Sequence, residues 1–292
     1  MRESKLFGIM AHPVHHSLSP LMHNKAFQYL NLPYYYQAFD VPPEHLEEAV
    51  KAMRILGIEG VNISIPHKEK IIPYLDEVET EARVIGAVNT VVREQDGRLK
   101  GYNTDGAGYV QSLIRETNIS LSKTSTLVLG AGGAAKGIAV YLLKEGCSNL
   151  CITNRNLSKA QDLVLQLQQY SAEEGLSRSI EWKSWDEAER EVDLFSLVIN
   201  TTPVGMWPQT DSSPILLPDS LSFAQEKVFS DIVYNPLKTK ILLQAEERGA
   251  KIHTGVGMFI YQGALAFQKF TREDPPIEVM QKIVMDRLQQ GG

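Results

Sequence analysis

The sequence predicts an α/β fold with two domains, each built on a parallel or mostly parallel β-sheet. The chain has 292 residues, a length that suggests two domains. Apolar, strand-like runs alternate with helix-like segments in both halves, as they do where helices cover a parallel sheet. A glycine-rich turn at residues 130–133 joins one of these strands to one of these helices.

The overall composition excludes several classes of protein. Hydrophobic residues make up 43% of the chain and the net charge is −6, so full cores can form and no nucleic-acid partner is expected. No apolar run reaches about 18 residues and the N-terminus lacks a signal-peptide core, so we expect a cytoplasmic protein without a membrane partner. Cys147 and Cys151 have no further Cys/His cluster, so we expect reduced thiols and no metal.

Strand and helix patterns follow each other closely in the first half. Ser19 and Pro20 suit the N-cap and N1 positions of the first helix, and Gly57 suits the end of the second. The Asp96-Gly97 pair indicates a hairpin between two strands. The predicted elements are strands 5–11, 34–41, 60–65, 87–94 and 98–104, and helices 19–30, 43–57 and 66–75.

The second half continues the alternation and ends in helices. A helix over residues 105–117, with Asp105 as its N-cap, is predicted to connect the two halves. The predicted strands are 126–129, 149–155, 196–202, 228–234 and 251–255, and amphipathic helices follow at 258–270 and 277–288.

The glycine turn has the spacing of a dinucleotide-binding fingerprint. Gly130, Gly132 and Ala135 fit the pattern G-x-G-x-x-G/A between an apolar strand and a helix. Gly130 allows a tight turn, Gly132 lets the backbone approach a pyrophosphate, and Gly133 adds freedom beside it. The N-terminus of the following helix offers free N–H groups to the phosphates. Dinucleotide binding is therefore favoured, although glycine-rich turns also close ordinary strands.

The residues after the next strand favour NADP over NAD. An NAD site usually has Asp or Glu about 20 residues beyond the glycines, where it accepts from the ribose. This chain has Asn154 and Arg155 there, with Lys159 in the following helix. The Arg155 guanidinium can bind a ribose 2′-phosphate through several N–H groups, and no acid at position 154 repels that phosphate. The alternative is a solvated basic turn.

Four polar clusters lie at or just beyond strand ends in the first half. Ligands of open α/β sheets bind outside the carboxyl ends of the strands. Taken singly, the serines and Asp105 also fit helix caps, and Lys68 fits a solvated lysine. Together the clusters favour a site for a polyhydroxylated acid, whose carboxylate two neighbouring serines can bind. The residues are Ser17, Ser19, Asn62, Ser64, Lys68, Asn89, Asn103, Thr104 and Asp105.

Nine short strings extend these motifs along nearly the whole chain. In order they are HSLSP, VNISIPHK, GAVNT, GYNTDG, GAGGAAKG, TNRNLSKA, INTTPVGM, DIVYNPLKT and GVGMFIYQGALAF. In them the chain resembles the shikimate dehydrogenase family, for which their order and spacing are specific. The resemblance implies NADP-linked reduction of 3-dehydroshikimate to shikimate, for chorismate and aromatic amino acids. It implies a substrate domain of residues 1–106 completed by 256–292, and a Rossmann-like NADP domain of residues 107–255.

The resemblance also implies roles for individual residues. Lys68 and Asp105 are the implied catalytic pair, and Ser17 and Ser19 are implied to hold the substrate carboxylate. The other implied substrate-binding residues are Asn62, Ser64, Asn89, Tyr234 and Gln262. The implied cofactor-binding residues are Gly130, Ala131, Gly132, Gly133, Ala134, Asn154, Arg155, Lys159, Thr201 and Gly255.

The expected chemistry follows from the residue types. Lys68, as an ammonium, can stabilise the oxyanion that develops when hydride reaches the ketone carbon, and Asp105 can hydrogen-bond a substrate hydroxyl. Which of the two transfers the proton stays open, as does the choice between a monomer and a homodimer. Domain closure on the ligands is expected to use glycines near the two interdomain crossings, namely Gly106, Gly108, Gly255 and Gly257.

Three places depart from the family pattern, one of them the segment AHP at residues 11–13, and other functions stay open. Ser64, and Asn156 beside Arg155, stand where threonine is usual. The alternatives are a quinate/shikimate dehydrogenase that also uses NAD, a non-catalytic NADP-binding regulator, and another two-domain reductase such as a methylenetetrahydrofolate dehydrogenase. The presence of both Lys68 and Asp105 argues against the regulator, and the paired serines argue against the third.

Overall fold

The chain divides into two compact units. The computed structural model describes residues 3–218, 221–223 and 226–290. One unit contains the residues up to Thr104 and those from Ile260 onward, and the other is Asp105–Phe259. Both divisions lie a few residues from the domain limits that the sequence predicts.

The helices and strands follow the predicted alternation. The first part of the chain forms β1 (Lys5–Ala11), α1 (Ser19–Tyr29), β2 (Tyr34–Asp40), α2 (Leu46–Leu56), β3 (Ile58–Ile63), β4 (Glu77–Val78), α3 (Thr80–Ile85), β5 (Thr90–Arg93) and β6 (Leu99–Tyr102). The next part forms α4 (Thr104–Thr117), β7 (Ser125–Leu129), α5 (Gly133–Lys144), β8 (Asn149–Thr153), α6 (Leu157–Glu173), β9 (Ser179–Trp182), α7 (Trp185–Arg190), β10 (Leu197–Asn200), β11 (Val228–Asp231), α8 (Lys240–Glu247) and β12 (Lys251–His253). Helices α9 (Gly255–Thr271) and α10 (Ile277–Gln290) follow.

The first unit contains a six-stranded sheet in the order β2-β1-β3-β5-β6-β4. Strands β1, β2 and β3 are parallel, whereas β5 is antiparallel to both β3 and β6. The hairpin at Gly97 reverses the chain between β5 and β6. One face of this sheet packs against Val50 and Met53 of α2. On the other, Phe7 of β1 contacts Phe270 of α9, with 5.2 Å between ring centroids. The last helices therefore complete the first unit.

The second unit contains a six-stranded, fully parallel sheet in the order β12-β11-β10-β7-β8-β9. The chain starts this sheet at β7, adds β8 and β9 on one side, and then crosses to β10 on the other side of β7. The strand order therefore reverses between β7 and β10. Ligands of open parallel sheets bind at such a reversal, outside the carboxyl ends of the strands.

The prediction of a helix over residues 66–75 is wrong. This segment forms turns, and only Ile72–Tyr74 makes a short 3₁₀ helix. The His67 ring is buried and its Nε2 lies 2.8 Å from the carbonyl oxygen of Val41, so the segment is held against a distant part of the chain. Pro73 has no backbone N–H and cannot bond to residue 69, as an α-helix would require.

Two predicted helix caps are also wrong. Leu18 takes the N-cap position of α1 without a side-chain hydrogen bond, and Ser19 is the first helical residue. Helix α4 begins at Thr104, so Asp105 lies inside its first turn. Within the described ranges no helix is long and apolar enough to cross a membrane.

The glycines expected to act as hinges lie inside helices. Gly106 and Gly108 belong to α4, and Gly255 and Gly257 belong to α9. A Cβ on Gly106 would collide with the backbone of Gly137, and one on Gly255 would collide with the carbonyl of Ile232. Close packing accounts for these two glycines.

Candidate active site

The predicted substrate residues of the first unit meet at one edge of its sheet. Strands β1, β3 and β6 run in one direction and β5 runs in the other. The carboxyl ends of the three and the start of β5 therefore lie at the same edge. Asn62 is the next-to-last residue of β3, Asn89 immediately precedes β5, and Thr104 follows β6.

Buried hydrogen bonds join these residues. Asn62 Nδ2 donates to the carbonyl oxygen of Asn89 at 3.2 Å and to Thr90 Oγ1 at 3.0 Å. Asn89 Oδ1 accepts from the backbone N–H of Thr104 at 2.7 Å. The network therefore reaches the first turn of α4, which carries Asp105.

Tyr36 belongs to this network although sequence reasoning missed it. Its hydroxyl donates to Asn62 Oδ1 at 2.7 Å, and the Ser19 side chain is a polar neighbour that lowers the phenol pKa against the larger effect of burial. Burial raises the pKa of Tyr36 well above 10, so the phenol stays protonated. The ring stacks on His23 with 4.4 Å between centroids. The sequence shows only that Tyr36 lies in a predicted strand. That position does not distinguish a tyrosine that hydrogen-bonds site residues from a tyrosine of the hydrophobic core.

Ser17 and Lys68, two further predicted site residues, each take part in a hydrogen bond that involves the backbone. Ser17 Oγ accepts from the backbone N–H of Ser19 at 3.3 Å. The carbonyl oxygen of Lys68 accepts from the N–H of Val88 at 2.8 Å, so the Lys68 backbone is tied beside Asn89. Lys68 itself is half-buried.

Of the other three predicted substrate residues, one follows β3 at the same edge and two lie further along the chain. Ser64 follows β3, and its N–H donates to the carbonyl oxygen of Met10 at 3.0 Å. Gln262 is a half-buried residue of α9 in the first unit. Tyr234 follows β11 in the second unit and is 51% exposed. The structure therefore joins Asn62 and Asn89 by hydrogen bonds and places Ser19 near Tyr36, whereas Tyr234 belongs to a different unit.

In the second unit the glycine turn has the form that the fingerprint predicts. Gly130 follows β7 with φ +118°, and a Cβ there would collide with Thr201 Oγ1, so glycine is required. Gly132 is the N-cap of α5, and no side chain caps this helix. A Cβ on Gly132 or Gly133 would meet no described atom within 4 Å. The predicted residue Ala131 lies in this turn, and Ala134 lies in the first turn of α5. Open space beside uncapped helical N–H groups suits a phosphate.

Arg155 lies beyond the end of β8, the strand next to β7. Asn154 Nδ2 donates to the carbonyl oxygen of Asn156, whose side chain caps α6. The exposed Arg155 lines a pocket of about 560 Å³ together with residues 203–209. Lys159 is exposed in the first turn of α6. Two cations therefore accompany the strand end where the sequence predicts a 2′-phosphate.

A buried carboxylate supports the loop after β10. Asp231 Oδ2 accepts from Asn200 Nδ2 at 2.9 Å and from Thr239 Oγ1 at 2.6 Å. Asn200 Oδ1 in turn accepts from the N–H of Thr202 at 3.0 Å. Burial raises the pKa of Asp231 to about 6. Sequence reasoning missed Asp231, although an acidic residue at the end of an apolar strand is a usable signal.

Thr201 and Gly255, two further predicted cofactor residues, both contact strand ends of the second sheet. Thr201 Oγ1 donates to the carbonyl oxygen of Leu129, at the end of β7, at 2.8 Å. The N–H of Gly255 donates to the carbonyl oxygen of Val233 at 3.3 Å. Thr201 thus lies directly beside the glycine turn.

Comparisons with known proteins identify the family. Family models match residues 9–91 (shikimate dehydrogenase substrate binding domain), residues 112–182 (shikimate / quinate 5-dehydrogenase) and residues 255–285 (shikimate 5′-dehydrogenase C-terminal domain). A protein of Geobacillus sp. (strain WCH70) named shikimate dehydrogenase (NADP(+)) is 47% identical, over 97% of this chain and 99% of its own. The chain belongs to the shikimate dehydrogenase family.

Solved structures of shikimate dehydrogenases share the fold. The enzyme of Thermus thermophilus, in complex with NADP(H) and shikimate, is 35% identical with a TM-score of 0.82, over 97% of this chain and 99% of that one. The enzyme of Listeria monocytogenes, in complex with shikimate and NAD, is 34% identical with a TM-score of 0.88, over 96% of both chains. This shikimate dehydrogenase family member therefore has the expected α/β fold, with a substrate domain and a Rossmann-like domain.

Proposed function

We propose that this chain is an NADP-dependent shikimate dehydrogenase, which catalyses the reversible reduction of 3-dehydroshikimate to shikimate in aromatic amino acid biosynthesis. The observation that carries the proposal is the 47% identity, over 97% of the chain, to a protein named for this activity. The polar edge of the first unit and the glycine turn of the second add independent support, since each suits one of the two ligands.

The residues of the second unit fit NADP. The uncapped N-terminus of α5 and the open space at Gly132 and Gly133 suit the pyrophosphate. Arg155 and Lys159 suit the 2′-phosphate, for which an arginine offers two parallel hydrogen bonds. When bound, NADPH supplies the hydride that reduces the substrate ketone. Thr201 and Gly255 are assigned to the same ligand.

The residues of the first unit suit a hydroxylated acid. We assign the Ser17 and Ser19 hydroxyls to the carboxylate, and Asn62, Ser64, Asn89, Tyr234 and Gln262 to the rest of the substrate. The Lys68 ammonium stabilises the negative charge on the former ketone oxygen, where a proton must be added. Asp105 hydrogen-bonds a substrate hydroxyl beside Lys68. A preorganised network such as that around Asn62 reduces the reorganisation needed during the reaction.

Steady-state oxidation of shikimate and of quinate, each with NADP and with NAD, tests the proposal. We expect the highest kcat/KM for shikimate with NADP. Comparable turnover of quinate with NAD would instead identify a dual-specificity quinate/shikimate dehydrogenase. Tight NADP binding without turnover of either substrate would identify a non-catalytic NADP-binding protein.

We further infer a cytoplasmic enzyme that is a monomer or a homodimer. Cys147 and Cys151 are both buried free thiols, which is compatible with a reducing compartment. Light scattering on the purified protein distinguishes the monomer from the dimer.

A further inference from the structure

We propose that Trp185 is a positioning residue for cofactor selectivity, because its indole ring holds the Arg155 guanidinium ready for a ribose 2′-phosphate. The inference rests on the proposed function, since it takes NADP as the ligand of the second unit. It adds a residue that does not itself need to touch the cofactor.

The contact lies between an exposed cation and an aromatic face. The guanidinium carbon of Arg155 is 5.8 Å from the centroid of the Trp185 ring, within the range of cation–π attraction. Arg155 follows β8 and is exposed. A long exposed side chain without a partner has many accessible rotamers. A ligand that binds such a side chain must restrict it, so a ring that already restricts it improves affinity.

Trp185 is well placed to act as a fixed platform. It is the first residue of α7, whose N-terminus has a capping box between Ser184 and Glu187. Its partly buried ring packs against the hydrophobic core of the second unit. The helix cap therefore fixes the Trp185 backbone, and core packing fixes its ring. A fixed ring can orient the Arg155 guanidinium beside it.

The sheet topology brings the two residues to the same edge. Strand β9 pairs in parallel with β8, with Trp182 opposite Ile152. Arg155 and Trp185 each follow the carboxyl end of one of these strands by a few residues. Gly130 follows β7, the next strand across, at this same edge. The Arg155–Trp185 pair therefore lies on the side of the sheet where the glycine turn suits a pyrophosphate.

Calorimetric titration with 2′,5′-ADP and with 5′-AMP tests the proposal directly, because the two differ only in the 2′-phosphate. We expect Trp185→Ala to weaken 2′,5′-ADP binding about 3- to 10-fold and to leave 5′-AMP binding unchanged. Trp185→Phe keeps an aromatic face and should restore most of the loss. Trp182→Ala, which removes a 41% exposed tryptophan three residues earlier, is the matched control and should bind both nucleotides normally.

The outcomes separate this inference from the assignment of NADP. Unchanged 2′,5′-ADP affinity in Trp185→Ala would overturn the inference, and so would equal losses for both nucleotides, which indicate a role in folding. A similar selective loss in Trp182→Ala would overturn it too. If the wild-type protein prefers 2′,5′-ADP and Trp185→Ala keeps that preference, only the inference fails. A wild-type protein without the preference would refute the NADP assignment as well.

Discussion

The side-chain oxygen of Asn89 accepts a 2.7 Å hydrogen bond from the backbone N–H of Thr104, the first residue of α4. Asn89 Nδ2 also donates to Thr104 Oγ1 at 3.0 Å. The next residue in the helix is Asp105. A proposed substrate residue therefore fixes the backbone that carries a proposed catalytic residue, so a substitution at Asn89 affects more than one contact with the substrate.

Lys68→Ala should lower kcat about 100-fold or more and change KM for shikimate much less. The ammonium interacts most strongly with charge that is present only in the transition state. Steady-state kinetics with shikimate and NADP provide the measurement. Lys70→Ala, an exposed lysine in the same segment, is the control and should retain wild-type kcat. A variant at position 68 with normal kcat and a raised KM would make Lys68 a binding residue.

Arg155→Ala should raise KM for NADP roughly 10- to 150-fold and leave the weaker use of NAD nearly unchanged. The guanidinium is assigned to the 2′-phosphate, which NAD does not have. Initial rates at saturating shikimate with each cofactor are the measurement. Equal losses with NADP and NAD would show that Arg155 supports the local structure.

Combined replacement of Ser17 and Ser19 by alanine should weaken shikimate binding and leave NADP affinity intact. Both hydroxyls are assigned to the carboxylate, and Ser19 is also a buried residue at the start of α1. Calorimetric titration of each ligand on the folded variant measures the two affinities. Normal shikimate affinity would leave these serines with a structural role only.

Gly132→Ala should reduce NADP affinity about 10-fold or more and lower the unfolding temperature only slightly, since alanine is a poorer N-cap than glycine. A Cβ at position 132 meets no described protein atom within 4 Å, so its first obstacle is the bound pyrophosphate. Gly106→Ala is the contrasting variant, because its Cβ collides with the Gly137 backbone and should lower the unfolding temperature. NADP titration and thermal denaturation of both variants check the pair. Normal NADP binding by Gly132→Ala would show that the pyrophosphate does not bind beside this turn.

The stability of the protein should decline as the pH falls from about 6.5 to about 4. Burial lowers the pKa of His253 from 6.5 to about 4, so between these values the unfolded chain binds a proton that the folded protein does not. The resulting slope is at most about 1.4 kcal/mol per pH unit for one group. His23, with a pKa lowered to about 3, acts in the same direction. Asp231, with a pKa raised to about 6, acts in the opposite direction and partly offsets the loss.

Chemical denaturation of His253→Asn between pH 7 and pH 4 isolates this contribution. His253 Nδ1 lies 2.8 Å from Ser230 Oγ, and asparagine keeps a polar group near that hydroxyl. The variant should be less stable at pH 7 but should lose less stability on acidification. If the free energy of unfolding of the variant changes with pH as steeply as that of the wild-type protein, the acid sensitivity comes from other groups.

The sequence by itself determined the features that depend on neighbouring residues. The strand–turn–helix unit at Gly130 follows from an apolar run beside glycines, and Gly130 does adopt the positive φ that such a turn needs. Gly57 ends α2 in the left-handed conformation, and Gly97 turns the hairpin. In each of these cases the conformational restriction is local, so the local residue types are sufficient to predict it.

Only the tertiary structure decided the features that depend on distant partners. Tyr36 reaches Asn62 across 26 residues, and Asn200 reaches Asp231 across 31. Local patterns favour Asp105 as the N-cap of α4. In the structure, the side chain of Asn89 instead accepts the hydrogen bond from the first N–H of this helix. A periodic pattern reports which face of an element is apolar, whereas the partner of a buried polar group depends on which strands become neighbours. Those strand pairings come from the whole fold.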